Sequence, residues 1–364
     1  MHIDGLNIRH LRAFAKIYEL GTLLAAARAV HVTQPAVTQG LARLEIQIGA
    51  TLFDRHSGGM RPTQAADILY PRAMRAIGLI RSNRVSHAQV RAFTALAKCG
   101  SYAGASNATG LARASLHRAV SDLELALAQT LVERRGRGIV LTRQGEAAAR
   151  RFNLAGAELS AAIDEINSLS GQARGRIAVG AMPLCRARVL PAAIVAFQKR
   201  HPATELLVAE GSHFELVEPL RDGELDILIG ALRDPPPGQD LVQFSLFDDQ
   251  PVIVARAGHF LASCSEEPDL ALLAAYEWCV PPRGVPLRDR WEEMFQNQNL
   301  PAPRVRVQCG SVMTIRQILI ETDCLTILSP DQIAVELEAG WLQIVSKAPE
   351  SLVRQIGVTH RAGW

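Results

Sequence analysis

One stretch of this chain occurs twice. Shifting the sequence by 79 residues aligns residues 10–67 with residues 89–146 without a gap, and 13 of the 58 aligned pairs are identical. Average residue usage would give about four identities, at roughly 7% per pair. Two copies are too few for a solenoid. The repeat therefore predicts one small domain that occurs twice in tandem, and we call the two occurrences copy one and copy two.

Copy one has the pattern of three short helices and a hairpin. A helix over residues 11–20 ends at Gly21, and Thr22 and Thr33 can cap a second and a third helix. Residues 51–63 place turn glycines between two short apolar pieces, which predicts a β-hairpin. This order of elements predicts a winged helix-turn-helix unit, an α+β fold in which the hairpin is the wing.

The third helix of copy one has an apolar side and a polar side. Its apolar residues recur with helical spacing and should face inward: Val37, Leu41, Leu44 and Ile48. The opposite side is slim, polar and singly basic, which suits a major groove, where Gln and Arg can donate to base edges. The predicted DNA contacts of this helix and its wing are Gln34, Pro35, Ala36, Thr38, Gln39, Arg43, Arg55 and Arg61.

Copy two repeats the inward pattern but changes the outward face. Arg118 stands where copy one has Gln39, and Asp122 stands where copy one has Arg43, so we expect an i, i+4 ion pair and a negative charge toward the groove. The predicted DNA contacts of copy two are Ser115, His117, Arg118, Arg134, Arg135 and Arg137. We expect the wing arginines to hold phosphates without reading sequence. The alternative is a spacer or a protein-contact domain.

Copy one resembles a known DNA-binding domain. Residues 33–45, followed by Gly49, residues 52–55 and Thr63, resemble the DNA-binding domain of LysR-type transcriptional regulators. Copy two resembles the same domain through residues 123–124, 131–134 and 141–145. The family pattern has one such domain, so the second copy is a departure. The resemblance implies double-stranded DNA as a partner and a homodimer or homotetramer as the assembly.

The helix after copy two carries the predicted dimer contact. Residues 143–169 contain no proline, and an apolar stripe runs along them through Phe152, Leu159, Ile163 and Ile166. In the family, the linker helix at this place makes the dimer, so we assign dimerisation to it. The helix before copy two, from residue 64 to about residue 82, carries Pro71 and Gly78, which are unfavourable in a helix interior.

From Gly175 onward, short apolar strands alternate with helices, which predicts α/β layers. This half resembles the two-lobed, periplasmic-binding-protein-like effector domain of the same family. Ligands of such sheets lie beyond the carboxyl ends of the strands. The predicted effector contacts are Met182, Pro183, Ser212, Ala231, Pro282, Arg283 and Ser311. Both serines could equally be plain helix caps, and Arg283 could be a solvated surface residue.

The predicted organisation is multidomain. Residues 1–86 hold copy one with its connecting helix, and residues 87–172 hold copy two with the linker helix. Residues 173–364 form the effector domain, with lobe one at about 173–250 and 330–364 and lobe two at about 251–329. Residues 1–174 hold 22 Lys and Arg against 12 Asp and Glu, and the remaining residues hold 17 against 24. A basic front half fits a polyanionic partner.

The sequence therefore predicts a ligand-responsive, sequence-specific DNA-binding regulator without a cofactor. Its effector is a small molecule, with a sugar, a sugar acid or a small carboxylate as the suspected class. No catalytic motif such as GxSxG, HExxH or a P-loop is present, and the scattered cysteines form no CxxC zinc pattern. No apolar run is long enough for a membrane span and no signal-peptide layout is present, which favours the cytoplasm. Two alternatives are a thiol-based redox regulator acting through Cys185 or Cys309 and a solute-binding protein.

Overall fold

The structure is a computed structural model that describes residues 7–136, 138–169, 175–264 and 266–363. The chain divides into two compact units, of which the first holds the residues up to Arg176 and the second holds most of those from Ile177 onward. In the described part of the chain, no helix is both long enough and apolar enough to cross a membrane.

Copy one is a winged helix-turn-helix, as predicted. Its elements are α1 (Ile8–Leu20), α2 (Leu23–Ala29), α3 (Gln34–Ile48), β1 (Phe53–His56) and β2 (Gly59–Pro62), and α4 (Gln64–Ile80) follows. Gly21 ends α1 in the left-handed conformation, with φ 70°, and the Thr22 hydroxyl caps α2. Thr33 precedes α3 as its N-cap residue without a side-chain bond. Despite Pro71 and Gly78, α4 is one continuous helix.

Copy two has the same elements in the same order. They are α5 (His87–Cys99), α6 (Tyr102–Thr109), α7 (Arg113–Leu127), β3 (Val132–Arg135) and β4 (Gly138–Leu141), and α8 (Arg143–Leu169) follows with the predicted bounds. Leu116, Val120 and Leu123 are buried, and Leu127 is half-buried. The predicted winged helix-turn-helix fold is therefore confirmed in both copies.

The two copies share one hydrophobic core rather than two. That core runs from Ile8 to Ile166 and includes the side chains of α4 and α8, which pack along each other. The apolar stripe of α8 is buried: Phe152, Leu159, Ile163 and Ile166 are all less than 9% exposed. The stripe therefore packs on α4 of the same chain, where a second chain was expected, and the assignment of dimerisation to α8 stays a prediction.

The described residues of the second unit form three sheets. The first has the strand order β6-β5-β7-β14-β8, where β5 is Arg176–Ala181, β6 is Glu205–Glu210, β7 is Ile227–Ala231, β8 is Leu241–Asp249 and β14 is Arg354–Arg361. Strands β5 and β7 are parallel, whereas β14 runs antiparallel to both β7 and β8. Helices α9 (Val189–Arg200) and α10 (His213–Arg221) connect these strands, after a short 3-10 helix at Pro183–Cys185.

The other two sheets belong to the other lobe. Their strands are β9 (Val252–Arg256), β10 (Trp278–Val280), β11 (Val305–Gln308), β12 (Thr326–Leu328) and β13 (Leu342–Lys347). The order β12-β9-β13 is antiparallel, β10 pairs with β11 in parallel, and a bridge joins Trp278 to Leu325. The helices are α11 (Leu270–Ala274), α12 (Pro286–Gln296), α13 (Val312–Glu321) and α14 (Ala334–Glu338), with 3-10 helices at Phe260–Ser263, Pro330–Ile333 and Glu350–Leu352.

The predicted lobe boundary near residue 330 is wrong. Strand β13 pairs with β9 of the second lobe, and Ile333 and Leu342 lie in that lobe's core. The chain returns to the first sheet only at β14. The chain first passes from lobe one to lobe two between β8 and β9, at the predicted boundary near residue 250. There Asp249 is buried and accepts from the Ser329 hydroxyl at 2.5 Å and from Arg354 Nε at 2.8 Å.

Candidate functional site: a DNA-binding surface and an effector edge

Helix α3 presents a polar face to solvent because its apolar face is fixed in the core. Val37, Leu41, Leu44 and Ile48 are all less than 5% exposed. The predicted DNA contacts lie opposite them and are exposed, apart from the half-buried Thr38: Gln34, Pro35, Ala36, Gln39 and Arg43. Thr38 Oγ1 donates to the carbonyl of Gln34 at 3.1 Å. Gln39 and Arg43 lie one helical turn apart, and both side chains are exposed. They are therefore the residues of this face that can extend toward base edges.

Two contacts hold α3 against the rest of copy one. The Leu52 amide donates to Glu45 Oε1 at 2.8 Å and ties the end of α3 to the start of the wing. The ring of His10, on α1, lies against Gly40, where an added Cβ would be 3.0 Å from His10 Cδ2. Burial lowers the pKa of His10, and the charge of Arg43 lowers it further. Neutral His10 thus supports the helix that carries Arg43.

The wing of copy one is anchored to the turn between α1 and α2. The Met60 amide donates to the carbonyl of Gly21 at 2.8 Å. Gly59 has φ 136°, and a Cβ on it would be 2.4 Å from the same oxygen, so this position requires glycine. Arg55 and Arg61 are exposed on the anchored wing, and their role as DNA contacts stays a prediction.

Helix α7 of copy two exposes a different set of side chains. Ser115, His117 and Arg118 are exposed, but the His117 ring stacks on Tyr102 with 3.5 Å between ring centroids. The ion pair expected between Arg118 and Asp122 is absent, although both residues are described and both are exposed. Without that pair, the charge of Asp122 faces solvent uncompensated, which disfavours close approach to a phosphate backbone.

The wing of copy two is basic but less anchored. Arg134 and Arg135 are exposed on β3, and Arg137 lies outside the described residues. A Cβ on Gly138 would have nothing closer than 3.8 Å, in contrast with Gly59. Ile139 and Gly100, which correspond to Met60 and Gly21 and are both described, share no backbone hydrogen bond.

The predicted effector residues lie at the carboxyl ends of strands in both lobes of the second unit. Met182 follows β5, Ser212 follows β6, Ala231 ends β7, Pro282 and Arg283 follow β10, and Ser311 follows β11; Pro183 begins the 3-10 helix after β5. Met182 is only 9% exposed and packs over Gly230, where a Cβ would be 2.2 Å from its sulfur. Met182 therefore belongs to the core of the first lobe rather than to an open surface.

The two serines differ in how their hydroxyls are used. Ser212 donates from both its amide and its hydroxyl to Glu215, at 2.7 and 2.8 Å, which lowers the pKa of that carboxyl. Ser311 Oγ accepts from the Thr314 amide at 3.4 Å, so its own proton can still donate elsewhere. Ser212 is thus engaged as a cap, whereas Ser311 can cap α13 and contact a ligand. Arg283 is 79% exposed and lies 3.7 Å from Glu292.

Arg186 is a candidate that the sequence analysis missed. Its guanidinium donates to the carbonyl of Ala181, at the end of β5, and lies 3.1 Å from Glu210, at the end of β6. The Arg186 side chain is 30% exposed and Glu210 is 58% exposed. The available signal was a basic residue in the loop after a buried strand, at the edge where ligands bind in such sheets.

The cysteines named for the redox alternative differ in exposure. Cys185 is fully buried, and burial raises the pKa of its thiol to about 12. At neutral pH it is therefore almost wholly protonated, and the thiolate is the form that reacts with oxidants. Cys309 is half-buried, and its Sγ accepts from the Ser311 amide at 3.4 Å. These environments do not favour Cys185 as a sensor.

Two family models match the chain, and one of them matches twice. The model of the bacterial regulatory helix-turn-helix protein of the lysR family matches residues 8–67 and residues 87–146. The model of the LysR substrate binding domain matches residues 170–363. The double match coincides with the two copies.

Relatives and solved structures agree with these models. The chain is 30% identical over 372 aligned positions to the HTH-type transcriptional regulator GalR of Pseudomonas putida, covering 98% of this chain and 93% of that protein. It is 27% identical to the transcriptional regulator PcaQ of Agrobacterium fabrum, covering 77% and 89%. Full-length OxyR from Pseudomonas aeruginosa, a point variant, is similar in fold, with a TM-score of 0.58 and 22% identity over 76% of this chain and 88% of that one. CbnR complexed with its target DNA has a TM-score of 0.53 and 19% identity, covering 76% and 93%.

Proposed function

Because the chain belongs to the family of LysR-type transcriptional regulators, we propose that copy one reads its DNA site while copy two holds phosphates nearby. The protein is a DNA-binding transcriptional regulator with a C-terminal effector-binding domain. The observation that carries the proposal is the exposed pair Gln39 and Arg43, held opposite four buried side chains of α3. Two long donors one helical turn apart suit the edges of neighbouring base pairs.

The DNA-reading role is tested on paired duplexes, one carrying the specific site and one of random sequence. Gln39→Ala and Arg43→Ala are expected to relax sequence preference by about 1–3 kcal/mol at particular base pairs. The matched control is Arg118→Ala, at the position of copy two that corresponds to Gln39, and it should leave the preference unchanged. An equal loss on both duplexes for Gln39→Ala and Arg43→Ala would refute base reading by copy one.

For the effector, the proposed class is a small carboxylate or a sugar acid rather than a neutral sugar. Arg186 supports this choice, because a guanidinium at the carboxyl ends of two strands matches a carboxylate in charge and geometry. In the second lobe, Ser311 adds a hydroxyl donor at the start of α13. We propose that a ligand bound at this edge draws on both lobes and so alters the regulator's activity.

The effector proposal is tested by titrating the full chain with small carboxylates, sugar acids and neutral sugars in a calorimeter. Arg186→Gln should weaken carboxylate binding at least tenfold, and Ser311→Ala and Arg283→Ala should weaken it less. Glu210→Gln is the matched control, because it removes the carboxylate that now pairs with Arg186 and should leave affinity equal or higher. Ser212→Ala should leave affinity unchanged, since Glu215 already occupies that cap. Unchanged affinity in Arg186→Gln would refute the assigned site.

A further inference from the structure

Helices α4 and α8 form an antiparallel pair joined by charge. Arg75 Nε lies 3.0 Å from Glu158 Oε2, and Arg72 lies 3.2 Å from Glu165. Arg72 precedes Arg75 on α4, but its partner Glu165 follows Glu158 on α8. The two helices therefore run in opposite directions. Beneath these ion pairs the contact is apolar and buried, with Ala73, Ala76 and Ile80 on α4 and Leu159 and Ala162 on α8.

This pairing has the symmetry of a homodimer within one chain. The 79-residue shift that superposes the two copies in sequence also superposes Gln64, the start of α4, on Arg143, the start of α8. An antiparallel pair of equivalent helices is what a twofold axis generates, and in oligomers that axis relates two separate subunits. Here both equivalent helices belong to the same chain, and each begins directly after its own wing.

The register of the pair sets the distance between the two wings. The ion pairs place the start of α4 opposite the far end of α8, so the two winged helices are attached at opposite ends of α8. At 1.5 Å per residue α8 is about 40 Å long. Successive half-sites on one face of B-DNA lie about 34–36 Å apart. The length of α8 is therefore close to the spacing of two neighbouring major grooves.

We propose that one chain of this regulator carries both DNA-binding heads, copy one and copy two. The pairing of α4 with α8 in the same chain then replaces the pairing of two separate subunits. Its site spans two successive grooves and is asymmetric. One groove is read by α3, and the other, one turn away, is held by Arg134 and Arg135 beside an α7 that carries Asp122. The inference rests on the proposed DNA-reading role of copy one. It adds that the second head is copy two of the same chain and not a second chain.

The arrangement is tested by hydroxyl-radical footprinting of the full chain, with the number of bound chains counted by native mass spectrometry. We expect two protected patches about one turn apart for every chain bound. The double variant R134A/R135A should erase one patch, always on the same side of the sequence that α3 reads. The matched variant R55A/R61A should weaken the other patch. A symmetric footprint that R134A/R135A leaves intact would overturn the proposal, because both heads would then be copy one from two chains.

A charge exchange tests whether α4 and α8 pair within one chain. R72E/R75E and E158R/E165R should each lose the second patch through like-charge repulsion, and the chain carrying all four changes should regain it. Mixing the two double variants should not restore it. Restoration on mixing would overturn the proposal, since α4 would then pair with α8 of another chain. Sequence preference in Gln39→Ala is measured separately on the specific and random duplexes, so a failure of base reading is distinguished from a failure of the two-headed arrangement.

Discussion

Side-chain hydrogen bonds at the base of the wing in copy one recur in copy two, whereas the backbone bond that anchors the wing to Gly21 does not recur and the outward side chains differ. Glu45 Oε1 accepts from the Leu52 amide at 2.8 Å, and Glu124 Oε1 accepts from the Leu131 amide at 2.7 Å. The Thr63 and Thr142 hydroxyls likewise each donate to a threonine carbonyl twelve residues earlier. The difference teaches that the fold and the reading face are separable: the framework is kept while the outward residues change.

The copies also differ at the end of the recognition helix. Gly49 ends α3 with φ 79°, a conformation that glycine adopts without penalty. The corresponding residue after α7 is Ala128, with φ 51°, where the Cβ is unfavourable. Copy two therefore has a strained cap as well as a weakened reading face.

The largest expected effect concerns the wings. R134A/R135A should weaken binding similarly on specific and random DNA and flatten the plot of log K against log salt by about one unit per lost phosphate contact. Extending the change to Arg137 should enlarge the effect. R55A/R61A is the comparison variant in copy one and should flatten the same plot. An unchanged slope in R134A/R135A would show that copy two does not touch DNA, and copy two would then be a spacer or a protein-contact domain.

A smaller effect is expected from exchanging the two helix caps. Ala128→Gly should stabilise the first unit by about 1 kcal/mol, because it removes the left-handed alanine. Gly49→Ala should destabilise it by a similar amount, since a Cβ on Gly49 would have no atom within 4 Å and only the backbone conformation is penalised. Calorimetry should show melting shifts of about 2–4 °C in opposite directions. Equal melting temperatures for wild type and Ala128→Gly would contradict strain at that cap.

The fold could be predicted because its signals are local. Turn residues such as Gly21 and the helical spacing of Val37 and Leu41 define copy one within a few residues of sequence, and the 79-residue shift transfers that result to copy two. The partner of the α8 stripe could not be predicted. Periodicity shows that a face is buried but does not identify what covers it. The same limit applies to β13, whose pairing with β9 joins residues far apart in the chain.

The candidate site was predicted in part for a related reason. Gln39 and Arg43 follow from the helix pattern, and Arg55, Arg61, Arg134 and Arg135 follow from the hairpin pattern. All six are exposed in the structure. Met182 lies at the expected strand end, yet its side chain turns over Gly230 into the core. Arg186 lies beyond the strand end in a loop whose path no periodic pattern describes. Strand ends locate an effector edge, but the side chains that line it depend on tertiary packing.

The smallest effect expected is a pH dependence confined to copy one. The pKa of His10 lies below the ordinary histidine value, first because of burial and second because of Arg43. As the pH falls below that ordinary value, the unfolded chain takes up the proton before the folded one does. The contribution of His10 to the stability of the first unit is therefore fully present above the ordinary pKa of histidine and is lost as the pH falls toward the lower pKa of the folded chain.

The repeat itself supplies the control for this effect. Copy two has Gln89 at the position of His10, where it closes a capping box with Ser86. His10→Gln should reduce the loss of stability between pH 7 and pH 5, measured by urea unfolding at each pH. Arg43→Ala should make the decline smaller and end it at a higher pH, because removing the neighbouring cation raises the pKa of His10 in the folded chain toward its ordinary value. A decline of the same size and position in wild type, His10→Gln and Arg43→Ala would assign the pH dependence to another group.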